Sequence, residues 1–319
     1  MIQNKTRPKI SIIMSVYNGE KYLAKSIQSI LDQSVTDFEF IIINDASTDR
    51  SDEIIKTFVQ KDKRIITVEN DSNIGLTKSL NIGIRLARGN YIARQDADDI
   101  SLPDRLKKQY FFMEKNRNIF LCGTMAIIID DNENVLAKTD YLSDTSQIKK
   151  RLRRGNCLIH FSIMFRNKNI FYRDKFKYSQ DYDLYLNLLT MGHNIAVLNE
   201  ALVKSRFNLH AISFEKNSQQ ELFAKKAKTF YIQRMNKGSD DYDSFDPNEI
   251  LNKNNLNPER ILLRKKIELY LRTGRYDDAR LHLLEYNKLE EINPFRLTAY
   301  KISVTLPFVY RIYRKLFYS

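Results

Sequence analysis

Glycine-rich phosphate loops are missing from this chain. The first strand-to-helix turn reads Ser15-Val16-Tyr17-Asn18-Gly19. It has neither the Gly-x-Gly-x-x-Gly of a dinucleotide-binding turn nor the loop expected of a sugar-phosphate nucleotidyltransferase, which counts against both. Cysteine is scarce: Cys122 and Cys157 are the only two, and they match no metal-ligand or disulfide framework, so a reduced, cytosolic setting is expected. No zinc knuckle or base-stacking motif accompanies the basic residues. Long apolar runs are also lacking. The longest near the C-terminus, Ile302–Tyr310, is too short to span a bilayer. Met1–Lys9 is polar and leads straight into a strand, so no secretory leader is expected. A soluble or surface-attached protein follows as the expectation. Acids are outnumbered, 39 against 52 Lys and Arg, for a net charge of +13 and a pI near 9.5. That excess calls for an anionic partner: nucleotide phosphates, nucleic acid or an acidic membrane surface. Hydrophobic and charged contents, 43% and 29%, are those of an ordinary globular chain long enough for a core.

Ile10–Val16 and Phe38–Asn44 are continuous apolar runs of strand length, as expected for strands buried on both faces. Asn18 is a candidate N-cap for a helix over Glu20–Gln33, and Ser47-Thr48-Asp49 precede a helix over Arg50–Lys61. A strand at Ile65–Glu69, a helix at Thr77–Arg88 and a strand beginning at Tyr91 complete a βαβαβαβ pattern. It predicts an α/β fold, a mostly parallel sheet flanked by helices, with ligands beyond the carboxyl ends of the strands. Further on, a helix is expected over Asp104–Asn116 and a hairpin from Phe120–Asp130 and Val135–Lys138. Its acidic turn lacks the central Gly and terminal Glu of a calcium loop. A basic helix or loop follows at Ser146–Arg154, then a strand at Phe161–Phe165 and a helix at Asp183–Met191. From about Glu215 the character is helical and charged, which divides the chain into residues 1–215 and a basic helical extension, 216–319. Ile261–Leu271 and Tyr276–Asn287 read as an αα-hairpin. After Pro307 a last helix would set Phe308, Ile312 and Leu316 against Arg311, Arg314 and Lys315. That pattern suits a membrane interface, or packing against its own domain or a second subunit.

Chemistry concentrates at Asp96-Ala97-Asp98-Asp99, where a buried strand ends in a knot of carboxylates. Like charges this close call for a compensating cation, and oxygen-only ligands suit Mg²⁺ or Mn²⁺ carrying substrate phosphates; the alternative is a solvated acidic turn. Asp45 and the Tyr17-Asn18 turn sit at neighbouring strand ends and converge on the same crevice. Arg94 either meets phosphate or balances the adjacent acids, and Lys149–Arg154 is either a lid over anionic substrate or a solvated face.

These residues resemble a known family. The succession Ser15-Val16-Tyr17-Asn18-Gly19-Glu20, Asn44-Asp45-Ala46-Ser47-Thr48-Asp49, Asn73-Ile74-Gly75-Leu76 and Asp96-Ala97-Asp98-Asp99 resembles family 2 glycosyltransferases of the GT-A fold, over about two thirds of the chain. The similarity is to members that build bacterial capsule and O-antigen. It implies an inverting, metal-dependent transfer of a hexose or N-acetylhexosamine from a UDP-sugar to a glycan or polyprenyl-diphosphate-linked acceptor. It further implies that Tyr17, Asn18 and Glu20 line the nucleotide pocket with Arg94 nearby, that Asp45 meets the uracil ring, and that Asp96 lies by the ribose. Asp98 would bind Mn²⁺ or Mg²⁺, whereas Asp99 could cap the following helix. In Tyr178-Ser179-Gln180-Asp181-Tyr182-Asp183, Gln180 stands where relatives carry an acid; the resemblance makes Asp181 the base, with Asp183 a competitor. His210 would complete the metal site or touch diphosphate, or be a surface histidine; His160 would border the acceptor pocket or orient a loop. A cytoplasmic enzyme at the inner face of the membrane, without nucleic acid, is the expected setting. The competing readings are a sugar-phosphate nucleotidyltransferase and a non-enzymatic anionic-surface-binding protein.

Overall fold

A computed structural model describes residues 7–139, 145–207, 217–252, 258–272, 274–289 and 294–306. His210 and the proposed last helix, residues 307–319, lie outside these. The described chain opens with β1 (Ile10–Val16), α1 (Leu23–Leu31), β2 (Phe38–Asn44), α2 (Ser51–Lys61), β3 (Ile65–Glu69), α3 (Leu76–Leu86) and β4 (Tyr91–Gln95). Their order in the sheet is β3-β2-β1-β4, all parallel. All seven residues of β2 and six of seven in β1 are buried, which is why these runs are apolar without alternation. Leu23, Ile27 and Ile30 bring the buried face of α1 onto that sheet, in one cluster with Ile12, Met14 and Phe40. The buried acid of β2 has several partners. Glu39 is buried and accepts from Ser11 Oγ at 2.6 Å, Arg88 N at 2.7 Å and Arg88 Nε at 2.8 Å, which fixes the turn into β4. At Gly89 in that turn an added Cβ would stand 2.5 Å from Ser11 N, so only glycine lets β4 begin there.

Beyond β4 antiparallel strands join the parallel part that the βαβ pattern predicts, so the full sheet is mixed. The remaining elements of the first part are β5 (Ile100–Ser101), α4 (Arg105–Lys115), β6 (Ile119–Ile129), β7 (Val135–Lys138), α5 (Thr145–Arg154), β8 (Met164–Arg166), α6 (Gln180–Thr190) and β9 (Asn194–Arg206). The full order is β3-β2-β1-β4-β8-β6-β9-β5, with β7 paired to β6. β8 runs antiparallel to β4 and β6, and β5 antiparallel to β9, while β6 and β9 are parallel. The strand expected at Phe161–Phe165 is instead a 3₁₀ turn, His160–Ser162, followed by β8. Ser162 Oγ donates to Ile159 O at 2.8 Å and accepts from Thr124 N at 3.1 Å, which curls the backbone before the strand starts. Asn18 is not the cap of α1. That helix starts later, after Tyr22, and Asn18 has φ 51° in the preceding loop.

The chain divides into two compact units, Met1–Arg206 with Ala224–Pro247, and Phe207–Phe223 with Asn248–Ser319. Helix α7 (Asn217–Lys237) contributes to both. The second unit contains α8 (Asn248–Leu251), α9 (Pro258–Arg272), α10 (Tyr276–Tyr286) and α11 (Pro294–Thr305). Leu263, Ile267, Leu283 and Tyr300 are among its core residues. The expected αα-hairpin is α9–α10. Among the described residues no helix is long and apolar enough to cross a membrane.

Candidate active site

Two loops at the carboxyl ends of β1 and β2 are zipped together. Asn18 N donates to Ser47 Oγ at 3.1 Å, Asn18 Oδ1 accepts from Thr48 N at 2.8 Å, and Gly19 N donates to Ser51 Oγ at 2.9 Å. Glu20 N donates to Asp49 Oδ2 at 2.9 Å while Glu20 Oε2 accepts from Arg50 N at 3.0 Å. Left-handed Asn18 and Ala46, φ 51° and 57°, make the bends. Asn18 and Glu20 therefore commit their side chains to the neighbouring loop, while Tyr17 is half exposed. Asp45 is buried, and its carboxylate accepts from Asn70 Nδ2 at 2.7 Å, Ile74 N at 3.0 Å and Gly75 N at 2.9 Å. It ties the Asn73-Ile74-Gly75 loop to the end of β2. Of a carboxylate's roughly four lone-pair directions, these bonds leave one.

The acid turn is clasped from below by Gln95, a residue that sequence reasoning passed over. Its Nε2 donates to Asp96 O at 3.1 Å and Asp99 O at 2.9 Å, and its Oε1 accepts from Ser101 Oγ at 2.7 Å and buried Arg105 at 3.0 Å. An amide at the last position of a wholly buried strand was the available signal. One carboxylate oxygen each from Asp96, Asp98 and Asp99 lies within 4.8 Å of the others. Arg94 is 2% exposed and donates to Asp96 and to Gln95 O, so it balances the acids from inside the fold. Asp99 does not cap α4, whose N-cap is Asp104 without a side-chain bond. It is buried with the cluster and accepts from Arg206 N at 2.7 Å. Arg206 was also missed. Its guanidinium donates to Asp98 O at 3.1 Å and Asp130 O at 3.0 Å and covers the Tyr22 ring, joining the end of β9 to the acid turn and the β6–β7 hairpin.

Burial first, and then the charge of Asp96, push the Asp98 carboxyl up to about 6. Burial followed by the charges of Asp98 and Asp96 raises Asp99 as well. Three crowded oxygen donors of like charge, of which Asp98 and Asp99 are raised by burial, are the chemistry that a hard divalent cation satisfies, so the residues fit Mg²⁺ or Mn²⁺, which Asp98 would hold with Asp96 and Asp99 in reach.

Helix α6 begins after Ser179, which is left-handed at φ 53°. Asp181 Oδ2 accepts from Asn156 Nδ2 at 2.6 Å. Burial raises the Asp181 carboxyl, the Asn156 bond partly offsets this, and the charge of Asp96 adds to the rise. His160 Nε2 meets Tyr172 Oη at 2.7 Å, and burial, aided by the Arg94 charge, keeps this imidazole well below its ordinary pKa and so neutral. Asp183 has a different fate. It is buried and pairs bidentately with Arg173, Nε to Oδ2 at 2.8 Å, while Arg173 also bonds Asp240 at 2.8 Å and Asp240 pairs with Arg234. Removing one member of a buried pair strands its partner. Asp183→Ala is expected to lower unfolding stability by about 3 kcal/mol, read as a urea midpoint; an unmoved midpoint would show the pair to be dispensable.

The chain belongs to glycosyltransferase family 2: the Glycosyl transferase family 2 model matches residues 11–177, and the enzyme is a glycosyltransferase of the GT-A fold. It is 37% identical over 230 residues to the uncharacterized glycosyltransferase MJ1057 of Methanocaldococcus jannaschii, covering 70% of this chain and 79% of that one. It is 30% identical over 215 residues to the Escherichia coli UDP-Glc:alpha-D-GlcNAc-diphosphoundecaprenol beta-1,3-glucosyltransferase WfaP, covering 67% and 82%. Its fold matches the mannosyltransferase PcManGT of Pyrobaculum calidifontis in complex with GDP-Man and Mn²⁺, with a TM-score of 0.56, 14% identity and coverage of 98% and 88%.

Proposed function

We propose that this glycosyltransferase is inverting and divalent-metal-dependent, and that it moves a hexose or N-acetylhexosamine from a UDP-sugar to a glycan or lipid-linked saccharide. The setting we assign is surface-polysaccharide synthesis, capsule or O-antigen, on the cytoplasmic side of the membrane. The observation that carries this reading is the gathering of Asp96, Asp98 and Asp99, one carboxylate oxygen of each within 4.8 Å of the others, in the turn after β4. Tyr17 supplies a face for the base, Asn18 and Glu20 shape the loop around it, and Asp45 holds the loop that closes over it, with one oxygen direction left for a ring N–H. Asp96, turned by Arg94, sits where a ribose hydroxyl would bond. A cation at Asp98 would neutralise charge that develops on the departing diphosphate. Asp181, its proton affinity raised by burial, suits removal of the acceptor's hydroxyl proton from the face opposite the leaving group. WfaP supports a UDP donor and a diphosphate-lipid acceptor, and PcManGT supports manganese in this fold.

The test is a thermal-shift series with UDP, GDP and their sugars, with Mn²⁺ or with chelator. UDP at a hundredfold excess over its Kd stabilises by about 2.7 kcal/mol, and for a chain of this size that is a rise of roughly 4 °C. The rise is expected only with metal and to be larger for UDP than GDP. An equal rise in chelator would refute metal dependence, and a preference for GDP would refute the uridine assignment.

A further inference from the structure

We propose that the adjoining outer faces of α5 and α7 form a docking surface for an anionic phospholipid leaflet. The inference goes beyond the reading above and stands without it, because binding to vesicles is measured without donor or acceptor.

Helix α5 is Thr-Ser-Gln-Ile-Lys-Lys-Arg-Leu-Arg-Arg, with five cations and no acid. Ile148 and Leu152 are buried and seat it on α6 and β9. Lys150, Arg153 and Arg154, spaced i, i+3, i+4, are exposed on the opposite side. The part of α7 that belongs to the same unit, from Ala224 onward, also has no acid through Lys237. Phe230 and Tyr231 are its buried side, whereas Lys225, Lys228, Ile232 and Met235 follow one outward stripe. The two faces are bonded to each other: Arg153 Nε donates to Tyr231 Oη at 3.0 Å and Lys228 Nζ to Arg154 O at 3.3 Å.

Several cations elsewhere in this unit are paired. Arg173 and Arg234 are consumed by Asp183 and Asp240, and Lys25 by Glu133. Lys226, on the inward side of α7, lies over the Phe230 and Phe245 rings. Lys150, Arg153, Lys225 and Lys228 have no carboxylate partner among the described residues. The fold thus leaves their charge unbalanced on one face, for which a negative surface is the complement. Ile232 and Met235, 52% and 53% exposed, stand in the same stripe. A surface offering both phosphate and hydrocarbon uses all of these groups, whereas a nucleic-acid backbone would leave the apolar pair idle. The face also adjoins the crevice: two residues after α5 ends, Asn156 bonds Asp181. A lipid-borne acceptor held in such a leaflet would arrive beside Asp181.

The experiment is co-sedimentation of the full chain with vesicles of phosphatidylcholine, alone or with phosphatidylglycerol, at low and high salt. Binding is expected only with phosphatidylglycerol and to weaken with salt. The triple change Lys150→Glu, Arg153→Glu, Lys225→Glu should reduce partitioning about a hundredfold, since each cation at an anionic surface contributes roughly fivefold. A control with the same net charge, Lys63→Glu, Lys107→Glu, Lys115→Glu, should lose much less. Ile232→Gln with Met235→Gln should weaken vesicle binding and leave heparin binding unchanged. Equal losses in the two charge triples, or none in the first, would overturn the proposal. So would an RNA or heparin affinity that exceeds vesicle binding and falls with the first triple alone. Melting curves matching the parent exclude misfolding as the cause.

Discussion

Asp98→Ala is expected to reduce sugar transfer by about a thousandfold or more, a loss of roughly 4 kcal/mol of barrier lowering, and yet to make the metal-free chain more stable. Both halves come from the same crowding. Asp96, Asp98 and Asp99 offer oxygens within 4.8 Å of one another, Asp99 is buried, and among the described residues the guanidinium in an ion pair with these carboxylates is that of Arg94, on Asp96. Folding raises the Asp98 carboxyl to about 6, above the ordinary 3.8, through burial and the neighbouring charge. A carboxyl with a raised folded pKa binds its proton more tightly folded than unfolded, so stability falls as pH climbs from about 4 through 6, and the whole cost is present at neutral pH. That cost is on the order of 3 kcal/mol. In chelator at neutral pH, both Asp98→Ala and the isosteric Asp98→Asn should therefore melt above the parent, with the difference vanishing near pH 4. With UDP and Mn²⁺ the order should reverse, because the parent gains and the variants do not. Manganese electron paramagnetic resonance gives the same answer without activity: free Mn²⁺ falls on adding parent enzyme and UDP, and stays high with either variant. Variants that take up Mn²⁺ like the parent would remove Asp98 from the ligand set.

The part of the fold that the sequence makes legible is the part whose strands are buried on both faces. Ile10–Val16 and Phe38–Asn44 are read at the residue level because no polar side chain can be spared there. β9 defeats the same reasoning. Asn-Ile-Ala-Val-Leu-Asn-Glu-Ala-Leu-Val-Lys-Ser-Arg mixes buried ends with a solvated Asn199-Glu200 middle, and its pairing with β6 slips register near Met125. Neither strand alternation nor a continuous apolar run survives such a slip, so thirteen residues of strand carry no local pattern. The antiparallel half of the sheet is hidden for a related reason, since β8 is three residues long and owes its place to β4 and β6.

The site divides along the same line. Asp96 and Asp98 announce themselves because repulsion between adjacent carboxylates is a local fact. Gln95, Arg206 and Asn156 act on backbone or carboxylate groups that the fold brings to them; Arg206 lies over a hundred residues from the Asp99 it supports. The resemblance prefers Asp181 to Asp183 only by its place in the motif. The structure separates the two through Arg173, which pairs bidentately with Asp183, whereas Asp181 accepts from the neutral amide of Asn156. The side chains of Asn18, Glu20 and Asp45 are spent largely on loop architecture, which ties the ends of β1 and β2 to each other and to the loop before α3.

That separation gives the second large effect. Asp181→Asn should lower the rate of transfer by about a hundredfold to ten-thousandfold while leaving the metal-dependent UDP thermal shift intact, because the amide oxygen can still accept from Asn156 and the side chain keeps its size. The pH dependence carries further information. A base must be ionised to work, and burial holds the Asp181 proton above the ordinary aspartate range, so the acid limb of kcat/KM should lie higher than for a solvated carboxylate. Asn156 favours the ionised form through its 2.6 Å bond. Asn156→Ala should therefore move that limb to still higher pH and leave the plateau rate nearly unchanged. A variant that merely disturbed the loop would lower the plateau without moving the limb. If Asp181→Asn transfers sugar at the parental rate, the proton leaves by another route and the carboxylate is there for the helix start alone. If transfer and UDP binding fall together, Asp181 belongs to the donor pocket and another group must serve as base.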